Sequence, residues 1–260
     1  MARISIGRMW DDSWAFLRAE FALLLPVALA TIGAAMLLLT LVIPEPVNDQ
    51  LPRGPWLLWL LPVYALMLTG VLAISGLALR PGLSVGDGLR LGVRRLPTAA
   101  MIVLLLAAVS VVASVPVALA TLIDVQRTGA PGALTAIANS AMLVAMLWLW
   151  IRLLPTWALV ADGDRTAMAT LRTCFAMTRG QAGRLLALAV LAVAAAAVVG
   201  AAILFAGGAV LMVLGRAVGG PEIGALLVSI LLAVLVAIGT TMWTVIVAFL
   251  YRQLSTTTSG

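Results

Sequence analysis

A single arginine, Arg152, stands inside an apolar run long enough to cross a bilayer, roughly Ala136 to Ala161. A guanidinium offers five N–H donors and no acceptor, which suits it to carboxylate or phosphate. At the centre of a lipid-embedded helix it costs roughly 2.5–3.5 kcal/mol on insertion scales, so it needs acceptors. It lies about nine residues from the near end of its run, a depth of roughly 13 Å at 1.5 Å per residue. Thr240 and Thr244 fall at a similar depth in the last apolar run, one turn apart, and Glu20 is a further candidate partner. Two chemistries follow: a structural tie between helices, or a site for an anion such as a lipid phosphate. Arg152, Thr240 and Thr244 are therefore the candidate intramembrane polar site.

Most other chemistries are removed by residue type. The chain has no histidine, which excludes His-based acid–base catalysis, HExxH zinc sites and histidine ligation of haem. Its one cysteine, Cys174, cannot form an intramolecular disulfide, and burial is expected for it rather than acylation. Asp87, Asp162 and Asp164 fall in connections, so no intramembrane aspartate pair is expected. Asp162-Gly163-Asp164 reads as a helix cap for the segment that follows. No catalytic residue, cofactor-binding residue, metal ligand or cofactor is expected, and the chain reads as a non-enzyme.

Composition says which solvent positions these groups. Of 260 residues, 63% are apolar and 10% charged, against roughly 25% charged in a soluble domain. Lipid must cover part of the apolar surface. All sixteen basic residues are arginines, and all but Arg152 lie in short segments between or flanking the apolar runs. That distribution marks membrane topology and not nucleic-acid binding, despite a pI near 11.2. Arginine without lysine, with abundant Ala and Gly, points to a GC-rich bacterial genome.

Six runs can span: Phe21 to Ile43, Trp56 to Leu79, Pro97 to Ile123, about Ala136 to Ala161, Leu185 to about Val213, and Ile223 to Tyr251. The loop Glu45–Pro55 separates the first two. Asp124 to Gly132 is a short loop, and Gly215 falls in an outer one. With the N-terminus in the cytoplasm, the cytoplasmic pieces hold Arg3, Arg8, Arg18, Arg80, Arg90, Arg94, Arg95, Arg165, Arg172, Arg179, Arg184 and Arg252. The far side holds Arg53, Arg127 and Arg216. Twelve against three is a positive-inside bias, so both termini are expected in the cytoplasm of a bacterial inner-membrane protein. Ala192 to Ala202, almost all Ala, Gly and Val, reads as a tightly packed central helix.

The basic connections are amphipathic. Ile6, Trp10, Trp14 and Leu17 share one face of the first, and Val85, Leu89, Val93 and Leu96 share the same spacing 79 residues on. Ser5 then superposes on Ser84. Ala167, Leu171, Phe175 and Thr178 repeat the stripe less cleanly, a further 82 residues on. The expected architecture is an all-α polytopic membrane bundle in one domain, 1–260. It has six transmembrane helices and three cytoplasmic interfacial helices, in a threefold repeat of units about 4–79, 84–161 and 164–252. Trp10, Trp14, Arg90, Arg94 and Arg172 are the expected interfacial anchors, facing membrane lipid and anionic headgroups.

Arg152-Leu-Leu-Pro-Thr-Trp-Ala-Leu-Val-Ala-Asp162, followed by Ala169-Thr-Leu-Arg-Thr-Cys-Phe-Ala-Met-Thr-Arg-Gly180, resembles the membrane domain found with some bacterial glycerophosphoryl diester phosphodiesterases. It is similar also to small stand-alone six-helix bacterial membrane proteins of unknown function. In that family the phosphodiesterase activity belongs to a separate soluble barrel, so the resemblance implies an accessory membrane module and transfers no catalytic residue. The function expected is a non-enzymatic membrane module that engages lipid, a protein partner or a second copy of itself. The alternative is a small transporter or channel-like protein with Arg152 in its substrate path.

Overall fold

The computed structural model describes residues 6–44 and 54–258, except the side chains of Ile6, Arg8, Pro221 and Thr256–Thr258. Arg3, Ser5, Arg53 and most of the expected Glu45–Pro55 loop lie outside the described residues. The chain is all-helical, with no strand among the described residues. The elements are α1 Ile6–Ala28, a π-helical turn Leu29–Gly33, α2 Ala34–Val42, α3 Trp56–Leu79, α4 Val85–Thr128, α5 Ala133–Arg152, α6 Thr156–Asp162, α7 Ala167–Met177, α8 Ala182–Val218 and α9 Pro221–Thr258. Among the described residues six helical stretches are long and apolar enough to cross a membrane: Met9–Val42, Trp56–Leu79, Val85–Thr128, Ala133–Asp162, Ala182–Val218 and Glu222–Ser255. Their apolar exposure fits a multi-pass membrane protein.

Local chemistry sets the breaks. Ser84 caps α4: its hydroxyl accepts from the Asp87 amide at 3.2 Å and donates to the Asp87 carboxylate at 2.6 Å. Gly129, at φ 79°, ends the same helix in the left-handed conformation. Pro155 has no amide hydrogen and disfavours helix at Leu154, so the fourth apolar run stops at Arg152 and restarts as α6. The π-helical turn follows Pro26 within one continuous helix. It sets Thr31 against Gly70 so closely that a Cβ on Gly70 would collide with the threonine side chain.

Two expected interfacial helices are not separate elements. Residues 6–20 are the first turns of α1, and residues 85–96 are the first turns of α4, which runs antiparallel to α3. A Cβ on Gly92 would lie 2.5 Å from the Thr69 carbonyl oxygen, and one on Gly88 would lie 3.1 Å from Leu77. Glycine lets these backbones close; of the apolar stripe, Val85 and Leu89 pack half-buried against the same core, and Val93 is left 59% exposed. At 44 residues α4 is roughly 66 Å long, about twice the hydrocarbon thickness, so its first turns extend beyond it. Of the three expected interfacial segments, α7 is the one that forms a short helix of its own.

Burial is uneven. Every residue from Val71 to Ala78 is buried, because α1, α4, α6 and α9 all pack on that half of α3. The hydroxyls of Thr31, Thr69, Ser75, Thr241 and Thr244 each donate to the carbonyl four residues earlier on their own helix. The remaining halves of α4, α5 and α8 stand largely exposed. The solvent-accessible area is 15167 Å². A soluble monomer of this mass exposes only about 10,800 Å². Residues 192–202 of α8 contribute to that excess: they are half-buried at two positions and exposed at the rest, not a packed central helix. Close packing of α8 occurs instead at Gly215, which is inside the helix and abuts Gly224 of α9.

Candidate functional site

Arg152 closes α5, where a cation favours the carbonyl end of the helix dipole. One guanidinium N–H donates to the Phe175 carbonyl at 3.3 Å, near the end of α7. In return, the Thr178 hydroxyl, which caps α7, donates to the Arg152 carbonyl at 3.4 Å and to the Cys174 carbonyl at 2.8 Å. Each helix thus supplies a donor to the other's carbonyl end. The guanidinium also lies over the Trp148 ring, 5.0 Å from its centroid, while its Nε is buried without a partner.

Thr240 and Thr244 are not partners of Arg152. The Thr244 hydroxyl donates to the Thr240 carbonyl at 2.7 Å, within α9. Equal depth would bring them together only along one straight helix; the break at 153–155 leaves Arg152 at the end of α5, bonded to α7. Glu20 is exposed and likewise apart.

Beside this clamp, groups from several helices converge on the α6–α7 connection. The Arg80 guanidinium donates to the Asp162 carbonyl at 2.9 Å, at the carbonyl end of α6. The Tyr251 hydroxyl donates to the Asp162 carboxylate at 2.7 Å. Asp164 pairs with Arg95 and, at 3.7 Å, with Arg94. The expected capping role of these aspartates belongs instead to Thr166, whose hydroxyl accepts from the Ala169 amide at 3.4 Å. Asp162 and Asp164 tie α6 and its connection to α9 and α4. Cys174 is fully buried against Thr156, 3.4 Å from its hydroxyl, and burial pushes its thiol up to about 11.

No protein-family model, curated protein or solved structure matches the chain.

The expected anchors stand at the end of the bundle where α1 and α4 begin and α3 and α9 end. Trp10 and Trp14 are each 40% exposed, with the Arg18 guanidinium 5.3 Å from the Trp14 ring centroid. Arg90, Arg94 and Arg172 are exposed. The protein-facing side of α1 here is Met9, Ser13 and Leu17. Sequence reasoning missed one feature: an apolar cavity of about 570 Å³ between α4, α5, α6 and Trp243 of α9. Its signal was the set Trp150, Trp157 and Trp243, dispersed through two apolar runs.

Proposed function

We propose that the chain is a non-enzymatic module of a bacterial inner membrane whose arginine-rich end gathers anionic lipid headgroups. What carries this is the convergence at one end of exposed arginines from α4, α7 and α8, beside the exposed Trp10 and Trp14. An arginine near an anionic surface contributes about 1 kcal/mol, and tryptophans favour the headgroup level. The twelve-to-three arginine split supports placing that end, with both termini, in the cytoplasm. Three helix hairpins, α1–α3, α4–α5 and α8–α9, support a threefold repeat whose unit is the hairpin. The likeness of residues 152–180 to the phosphodiesterase-associated membrane domain supports an accessory role, with a protein partner or second copy as a further ligand. The transporter alternative finds no support: Arg152 lies against α7, and the cavity on the other side of its helix is apolar.

The test is lipid retention by native mass spectrometry, with phosphatidylglycerol and phosphatidylcholine in competition. Among lipids retained beyond the first, the wild type should hold phosphatidylglycerol at least tenfold better. Replacing Arg90, Arg172 and Arg179 by Gln should bring the ratio close to one. A preference unchanged by the triple replacement would refute the proposal.

A further inference from the structure

The cavity beside the α5–α6 break holds no charged side chain, and its only hydroxyls, Ser110 and Thr156, already donate to backbone carbonyls. Its walls are otherwise leucines, methionine and three tryptophans. Among the described residues no acceptor in the protein meets the indole N–H of Trp150, Trp157 or Trp243. Trp150 of α5 and Trp243 of α9 stack with ring centroids 6.1 Å apart and planes 3° off parallel. The neighbouring faces of α4 and α5 are exposed and apolar, so the cavity is continuous with a surface that a bilayer would cover. Its volume falls within the roughly 300–1,000 Å³ of pockets that enclose small ligands.

We propose that this cavity binds one acyl chain of a diacyl phospholipid, with an ester carbonyl of that lipid accepting from an indole N–H. A neutral, apolar lining rejects a charged headgroup, and the free donors match the one weakly polar group that an acyl chain carries. The site is distinct from the arginine-rich end and shares with the function proposed above only its placement in a bilayer.

The two are separated by headgroup dependence. Delipidated protein in detergent is given phosphatidylcholine or phosphatidylglycerol, and retained lipid is counted by native mass spectrometry. One lipid of either kind should be held by wild type. Ser110→Phe, which projects a ring into the cavity, should lower that retention at least fivefold, while Val112→Phe, on the exposed face of the same helix, should not. Undiminished binding in folded Ser110→Phe overturns the site. So does retention of phosphatidylglycerol alone, which would leave only the arginine-rich end. Displacement of a second copy of the chain in place of lipid also overturns it. If Ser110→Phe does not fold, wild type in phosphatidylcholine carrying a diazirine at the chain terminus decides. Adducts on residues 143–157 should exceed those on the lipid-exposed residues 190–205 at least threefold, and equal labelling refutes the site.

Discussion

Replacing Arg152 by Leu tests whether the reciprocal capping of α5 and α7 stabilises the fold. The bond to the Phe175 carbonyl is charge-assisted but long, at 3.3 Å, so it takes the lower value for such bonds, about 1.5 kcal/mol. Stacking over Trp148, half-exposed itself, adds about 0.5 kcal/mol. The charge at the end of α5 adds about 0.5 kcal/mol. Against these stands the buried Nε without a partner, whose removal returns about 1 kcal/mol. The net loss is about 1.5 kcal/mol, or roughly 3–6 °C in Tm for a chain of this size. Thr178→Val removes the returning hydroxyl bond and should cost about 1 kcal/mol. Because the two bonds join the same helix ends, the double variant should lose less than the sum of the single losses, by about 0.5 kcal/mol or more. Thermal unfolding in one detergent, read by intrinsic fluorescence, measures all three. An Arg152→Leu protein as stable as wild type, or strictly additive losses, would refute the clamp. So would loss of a bound phospholipid from Arg152→Leu at unchanged Tm, which would return Arg152 to anion binding.

Gly92→Ala should destabilise by about 1–3 kcal/mol, because the added methyl meets the Thr69 backbone and not a side chain that can swing away; the same unfolding assay would expose an error if Tm were unchanged. Cys174, with its thiol raised to about 11 by burial, is neutral throughout pH 7–9. N-ethylmaleimide should therefore leave it unmodified in the folded protein and modify it in dodecyl sulfate, and rapid labelling of the folded form at pH 8 would contradict its placement.

The six spans were legible because length and apolarity alone define them, and arginine, too costly to bury, marked the connections. Side-chain partners were legible only in part. Periodicity identified the apolar stripe of residues 85–96, of which Val85 and Leu89 pack on the core, but it did not show that Gly88 and Gly92 make the closest approach to α3. On α1, Leu17 of the stripe is buried as the periodicity implies, but Ser13 lies inside and Trp10 is 40% exposed. Small residues in α8 suggested close packing, yet the Ala-rich stretch is exposed and the tight approach is at Gly215. For Arg152, the depth was sound only as long as the helix was straight. Pro155 stood in the sequence as the warning that it was not.

The complete burial of residues 71–78 has a consequence for the order in which the chain is made. This part of α3 is enclosed partly by α9, which leaves the ribosome much later. Until the ribosome has released residues 237–251, one flank of α3 has no protein neighbour. Ser75, Thr31, Thr69, Thr241 and Thr244 do not suffer in that interval, since each already donates to a carbonyl of its own helix. For these five hydroxyls only shape is left to be matched when α9 docks, while the Tyr251 hydroxyl finds the Asp162 carboxylate at that moment.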